Sequence, residues 1–89
     1  MSNVDLFFSN GEKITDYTSC AYAEGFCEGE NASFEDSIRA WAYLIRTGRC
    51  WTLQGWYGRT ARDLIESGMI SRDGIIDWDE VARCQMMDE

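Results

Sequence analysis

The chain contains no proline, so its eight glycines mark the places where secondary structure is expected to end. Glycine readily takes the left-handed backbone conformation that closes many helices. Gly48 and Gly68 each follow a segment with helical spacing, and Gly25 follows a weaker one. We therefore expect several short helices, separated by glycine turns.

The clearest predicted helix begins after Ser33 and ends before Gly48. Ser33 is a typical N-cap residue, and Asp36 stands three positions later, as in a capping box. The apolar residues follow a period of three to four, which predicts one buried face. These residues are Phe34, Ile38, Trp41, Ala42 and Ile45.

Three further helices are predicted with shorter patterns. The first runs from Tyr17 to about Glu24, with Asp16 as its N-cap. Another runs from about Gly58 to Ser67. Its predicted inward residues are Tyr57, Ala61, Leu64 and Ile65. The last ends at Cys84, is capped by Asp77 or Asp79, and turns Trp78, Val81 and Cys84 inward.

Two glycine dipeptides are typical of tight turns between strands. Asn10-Gly11 lies between Val4–Phe8 and Glu12–Thr15, which predicts a β-hairpin. Asp73-Gly74 predicts a second hairpin or a single turn. The predicted fold class is mainly α: a small single domain, 1–89, of three to four short helices with one or two small β-hairpins. Residues 1–15 hold a possible hairpin, 16–68 the helical core, and 69–89 a turn or hairpin with a short helix.

The composition indicates the cellular compartment and limits the ligands that the chain is expected to bind. The chain has 89 residues, a net charge of −8, no histidine and four cysteines. The charge disfavours non-specific binding to nucleic acid and anionic membrane. No signal peptide or membrane-spanning apolar run is present, so we expect a cytoplasmic protein with reduced thiols. The cysteine spacing fits no zinc pattern, and we expect neither metal nor cofactor.

The charges are segregated along the chain, and this predicts a binding surface in the middle. Between Ser37 and Arg62 there is no Asp or Glu, whereas both flanking segments are acidic. Arginine with tryptophan or tyrosine often carries binding energy at interfaces. The candidate partner-binding residues are Arg39, Tyr43, Arg46, Trp56, Arg59 and Arg62. For the first three, pairing with this protein's own acids is an equally good interpretation.

Residues 54–60 form the other part of this candidate surface. Glycines around Trp56 and Tyr57 predict a rigid loop that presents Trp56, Tyr57 and Arg59 to a partner. The alternative is that the aromatic residues fill the gap between two helices. We favour burial for Trp51, Leu53 and Tyr57, with Gln54 tying the turn, and exposure for Trp56.

Other functions receive less support from the sequence. Two helices followed by the Asp73-Gly74 turn resemble a winged helix-turn-helix, but the acids around the turn would repel phosphate. Residues 69–80 partly fit a calcium loop, yet Met69 stands where the first ligand is needed. Without histidine, and with Lys13 as the only lysine, a nucleophile has little to activate it. We therefore predict that the chain is not an enzyme.

A long motif resembles a family of small uncharacterised bacteriophage proteins. The motif is W-x-L-Q-G-x-Y-G-R-T-A-x-x-L-I-x-x-G-x-I over residues 51–70. Looser similarity includes Ala21-Tyr22, Glu24-Gly25, Phe34-Glu35-Asp36 and Leu44-Ile45-x-Thr47-Gly48. The resemblance covers residues 44–70 well and 21–36 loosely. It implies a viral early-type protein acting in the bacterial cytoplasm, and it implies no known activity.

Three functional hypotheses follow. The first is a non-catalytic bacteriophage protein that binds a host or anti-phage defence protein. The second is a nucleic-acid-binding helical module that uses the arginine and aromatic residues. The third is a structural or regulatory phage protein that self-associates.

Overall fold

A computed structural model describes residues 6–25, 32–53 and 55–86 of the chain. The described elements are α1 (Asp16–Glu24), α2 (Phe34–Thr47), a 3₁₀ turn (Arg49–Trp51), α3 (Gly55–Ser67) and α4 (Trp78–Met86). The predicted mainly helical class is confirmed. The predictions for Val4 and Gln54 lie outside the described residues.

The predicted β-hairpins are not supported, and at Asp73-Gly74 the alternative prediction of a single turn is the one that agrees with the structure. In the described ranges, each is reduced to one antiparallel bridge, Phe7 with Lys13 and Ile70 with Ile76, and no β-sheet is present. Helix α1 begins three residues after Lys13, and the second bridge lies in the connection between α3 and α4. Thr15 already caps α1 directly after the first turn, and the second turn occupies the short connection from α3 to α4.

Local capping chemistry explains where the helices begin. Ser33 Oγ accepts a hydrogen bond from Asp36 N at 3.1 Å, and Asp77 Oδ1 accepts one from Glu80 N at 3.2 Å, as predicted for α2 and α4. At α1 the cap is Thr15 in place of Asp16. Thr15 and Thr18 each accept from the other's backbone N–H, which forms a capping box.

Helix α3 begins three residues earlier than predicted. Gly55 and Gly58 both lie inside it, and neither has a positive φ angle. Glycine costs about 1 kcal/mol relative to alanine in a helix, a weak preference that tertiary packing overrides. The predicted rigid loop is therefore wrong, and Trp56 and Arg59 are helical. The predicted ends are confirmed: Gly48 and Gly68 follow α2 and α3 with φ of 80° and 88°.

The chain forms two units, Met1–Leu44 and Ile45–Glu89. In the first unit, α1 and the turn before it pack through Phe8 and Tyr22, whose rings stack with centroids 3.7 Å apart. Ile14, Ala21 and Ala40 complete this cluster. The other buried apolar residues of α2 within this unit are Ile38, Trp41, Ala42 and Leu44. Phe34, predicted to be buried with them, is exposed.

The second unit has a smaller set of buried side chains. These are Ile45, Cys50, Tyr57, Ala61, Ile70 and Val81. Tyr57 and Ala61 are buried on the predicted apolar face of α3, and Leu64 and Ile65 are partly buried. Of the residues predicted to face inward on α4, Val81 is buried, Cys84 is half-buried and Trp78 is exposed. The prediction of one domain over residues 1–89 stays a prediction.

The described helices are short. The longest of them, α2, has 14 residues, whereas about 20 apolar residues are needed to cross a bilayer. Within the described ranges, no helix is long and apolar enough to be a candidate membrane span.

Candidate interaction surface

Two of the six candidate residues, Arg39 and Tyr43, contact acids of their own unit. The Arg39 guanidinium donates to Asp36 Oδ1 at 2.8 Å and forms an ion pair with it. The Tyr43 hydroxyl donates to Asp16 Oδ1 at 2.6 Å. The ring of Tyr43 also packs against the cluster around Phe8. These side chains therefore stabilise the first unit.

Asp36 is the centre of this network. Its carboxylate accepts from Ser9 N at 2.9 Å and from Ser9 Oγ at 2.7 Å. Burial alone raises the pKa of Asp36, but the hydrogen bonds from Ser9 and the charge of Arg39 outweigh it, so the pKa lies below its usual value. Asp36 thus links the first turn to α2, in place of the local capping role expected from the sequence.

Arg46 contacts the turn between α3 and α4. Its Nη2 donates to the carbonyl oxygen of Gly74 at 3.2 Å. Gly74 is buried and has a φ of 82°, a conformation that favours glycine. Arg46 therefore stabilises a turn within the second unit, and this hydrogen bond competes with any role in partner binding.

The other three candidates lie on α3 and face solvent. Trp56 is 42% exposed, whereas its neighbour Tyr57 is 4% exposed, as predicted for both. Their rings meet edge to face, with centroids 4.9 Å apart. Arg59 and Arg62 are exposed and follow Trp56 at intervals of three residues, so all three share one side of the helix. Among the described residues, neither arginine forms a hydrogen bond or an ion pair.

A groove beside this side of α3 contains residues that the sequence prediction missed. It encloses about 420 Å³ and is lined by Trp51, Arg62, Ile65, Glu66 and Arg72. Trp51 is 51% exposed, so its predicted burial is wrong. Arg72 is one of two basic residues in an acidic C-terminal segment, and this isolation is the one sequence signal that could have drawn attention to it.

Gly58 explains how Trp51 lies against α3 and still remains exposed. A Cβ atom at Gly58 would be 3.8 Å from Trp51 Cε3 and from the carbonyl oxygen of Cys50. One part of the indole therefore contacts the helix where glycine has no side chain. We name the exposed set Trp51, Trp56, Arg59, Arg62 and Arg72 the α3 surface.

Among the described residues, the cysteine thiols and the acids do not form a reactive or metal-binding site near this surface. Burial raises the pKa of the Cys50 thiol to about 11, which keeps it protonated and a poor nucleophile at neutral pH. Cys20 and Cys84 are also free thiols. Across the described ranges, no group of three or more Cys, Asp or Glu side chains is placed to hold a metal ion.

Comparison with known families identifies the region that carries α2, α3 and α4. Residues 26–86 match the family described as "Domain of unknown function (DUF7417)". The chain belongs to this family. The DUF7417 match includes all six candidate residues and the α3 surface, and it leaves α1 and the first turn outside. No curated protein and no solved structure matches the chain.

Proposed function

We propose that this chain is a non-catalytic bacteriophage protein that binds a host or anti-phage defence protein through the α3 surface and modulates it. The observation that carries the proposal is the exposure of Trp51 and Trp56 beside Arg59 and Arg62. A large exposed aromatic side chain forgoes about 2 kcal/mol of burial free energy, which binding to a partner would recover. The bacteriophage origin rests on the motif over residues 51–70.

The charges and side chains support a protein partner that presents carboxylates beside an apolar patch. Arginine pairs with carboxylates through two parallel hydrogen bonds, and tryptophan fills apolar pockets. Arg59 and Arg62 are the exposed cations on this helix, with Asp63 and Glu66 also exposed nearby. Exposed acids therefore stand beside the arginines of the α3 surface, and this arrangement suits a specific protein interface better than a polyanion.

The test is affinity capture from a bacterial lysate with wild-type protein and a Trp56→Ala, Arg59→Ala double variant. We expect the wild type to retain a partner and the double variant to lose it, because both anchors lie on the α3 surface. The matched control is Tyr17→Ala, Arg83→Ala, which also removes one exposed aromatic and one exposed arginine. Equal capture by wild type and the Trp56→Ala, Arg59→Ala variant would contradict the assignment.

Nucleic-acid binding is the alternative proposal, supported by the same tryptophans and arginines. Indole rings stack on bases and guanidinium groups pair with phosphates. Retention on heparin and on single-stranded DNA should then fall steeply as salt rises. Loss of that retention in the Trp56→Ala, Arg59→Ala variant would favour this alternative over a protein partner.

The third proposal, self-association, is tested by size-exclusion chromatography at two protein concentrations. A monomer at both concentrations would contradict it. An elution volume that shifts with concentration in the wild type, and not in the Trp56→Ala, Arg59→Ala variant, would place a second copy on the α3 surface.

A further inference from the structure

A second groove lies in the unit Ile45–Glu89, around the connection from α3 to α4. It encloses about 610 Å³, a volume typical of binding sites. Its apolar lining comes from Ile65, Ile70, Ile75, Ile76 and Trp78, and its acidic lining from Asp77 and Asp79. None of the candidate partner-binding residues lines it.

The apolar residues of this groove are unusually open to solvent. Ile75, in the connection, is 60% exposed, and Trp78, the first residue of α4, is 40% exposed. Ile70, by contrast, is fully buried beneath them. The groove therefore has a buried floor and an exposed apolar rim, which is the anatomy of a docking surface.

Backbone hydrogen bonds hold the rim in place. Ser71 N donates to the Ile75 carbonyl at 2.8 Å, and Asp77 N donates to the Met69 carbonyl at 2.8 Å. Ser71 Oγ accepts from Asp73 N at 3.2 Å and from Ile75 N at 3.1 Å. A surface that is already ordered loses less conformational entropy when it binds.

The charge beside the apolar rim selects the occupant. Asp73, Asp77 and Asp79 are all exposed in this connection, where Arg72 is the only cation. Asp77 also caps α4, where its Oδ1 accepts a hydrogen bond from Glu80 N. An anionic rim repels nucleic acid and acidic peptides, and it attracts lysine and arginine.

We propose that this groove binds a protein segment in which aliphatic side chains alternate with lysine or arginine. The aliphatic side chain would cover Ile75 and Trp78, and the cations would pair with Asp77 and Asp79. This inference is independent of the α3 surface, and it gives the protein two interaction surfaces of opposite character: arginine-rich on α3 and acidic on the connection to α4.

The test uses a fluorescein-labelled short peptide of alternating lysine and leucine, followed by fluorescence anisotropy. We expect saturable binding with a Kd on the order of 10–100 µM that weakens with salt. Two comparison peptides, with glutamate for lysine and with glutamine for leucine, should bind at least about tenfold more weakly. Equal binding of the glutamate peptide, or no saturation up to about 1 mM, would overturn the proposal.

Variants of the full-length chain locate the binding. Ile75→Ser should weaken the lysine–leucine peptide about tenfold, and Asp79→Asn about two- to fivefold. Phe7→Ser and Asp63→Asn are the matched controls, since each changes a similarly exposed residue elsewhere, and they should bind as wild type. Asp79→Asn keeps the test decisive if Ile75→Ser fails to fold. Unchanged peptide binding by both Asp79→Asn and a folded Ile75→Ser would overturn the site. If Ile75→Ser does not fold, unchanged binding by Asp79→Asn overturns it.

Two further measurements separate this proposal from others. The Trp56→Ala, Arg59→Ala variant should bind the lysine–leucine peptide as wild type does, so failure of the α3 surface and failure of this groove are distinguishable. Size-exclusion chromatography without peptide should be unchanged by Ile75→Ser. A concentration-dependent dimer that this substitution abolishes would identify a second copy as the occupant and overturn the basic-segment proposal.

Discussion

Helices α2 and α3 both carry arginine beside aromatic residues. The environments of these residues differ between the two helices. Arg39 and Tyr43 contact Asp36 and Asp16, whereas Arg59 and Arg62 form no ion pair among the described residues. Both helices carry acids, but Asp63 and Glu66 of α3 are exposed. Asp36 of α2 is buried and accepts hydrogen bonds from Ser9 as well as from Arg39. Asp36 lies one turn from Arg39 on the same helix, and the chain before α2 supplies Ser9 and Asp16. Residue type alone therefore does not distinguish a structural arginine from one exposed for binding.

The largest expected contrast lies within α3 itself, between Tyr57 and Trp56. Tyr57→Ala should lower the free energy of unfolding by about 3–5 kcal/mol, because it leaves a cavity in the second unit. Trp56→Ala should lower it by less than about 1 kcal/mol, since that side chain is largely exposed. Urea denaturation of both variants measures the difference. Equal losses would show that Trp56 is a core residue and would remove it from the α3 surface.

The next contrast is between Asp36 and Asp63, a buried and an exposed acid. Asp36→Ala should cost about 2–3 kcal/mol of unfolding free energy, because Ser9 and Arg39 lose a charged acceptor. Asp63→Ala should change it by no more than about 0.5 kcal/mol. Chemical denaturation at neutral pH checks both values. A loss below about 1 kcal/mol for Asp36→Ala would mean that its network adds little to the first unit.

Lowering the pH should reveal the contribution of Asp36 to the free energy of unfolding without altering the core. The folded pKa of Asp36 lies below its reference value of 3.8, so its ionised form stabilises the fold above that reference value. This stabilisation should decline as pH falls through 3.8 and toward the lower folded pKa. Urea midpoints between neutral pH and about pH 3 should therefore fall further for wild type than for Asp36→Asn. Parallel pH profiles would contradict the assignment.

A smaller effect is expected at the Tyr43 hydroxyl. Tyr43→Phe keeps the ring and removes the hydrogen bond to Asp16, so it should cost about 0.5–1.5 kcal/mol. Arg62→Ala on α3 should cost about 0.5 kcal/mol or less and should instead weaken partner capture. Thermal denaturation and the capture assay, applied to both variants, separate the two roles. A larger stability loss for Arg62→Ala than for Tyr43→Phe would reverse the comparison.

The smallest effect tests whether the chain around Gly58 is helical. Gly58→Ala should raise the free energy of unfolding by about 0.5–1 kcal/mol, because alanine favours the helix and its Cβ would meet Cys50 and Trp51 at ordinary contact distances. Thermal denaturation measures this change. A destabilised Gly58→Ala variant would favour the loop over the helical start of α3.

The fold was predictable wherever neighbours along the chain determined it. Ser33 and Asp77 act within three residues, and the glycines after α2 and α3 close the turns that they follow, so these features were readable from the sequence. The start of α3 was missed because glycine at positions 55 and 58 is unfavourable by local propensity alone. The hairpins were not found because each dipeptide determines only a tight turn, whereas the length of the strands around it depends on packing elsewhere in the fold.

The sequence predicted most residues of the candidate site, but it did not predict the exposure of every one of them. Trp56, Arg59 and Arg62 were identified by residue type and spacing, and they lie together on the exposed side of α3. Trp51 was missed because a tryptophan between two helical segments usually packs inside. Its exposure depends on how the 3₁₀ turn lies against Gly58, which no local pattern encodes.

The sequence by itself determined that the chain is mainly helical, where α2 and α4 are capped, and the concentration of arginine and aromatic residues between two acidic segments. Only the tertiary structure decided which of those residues contact the protein itself, because the decisive pairs are remote in the chain. Ser9 reaches Asp36, and Tyr43 reaches Asp16, each across 27 positions. Hydrogen bonds within a helical turn follow from spacing, whereas hydrogen bonds across such a separation exist only once packing has brought the two segments together.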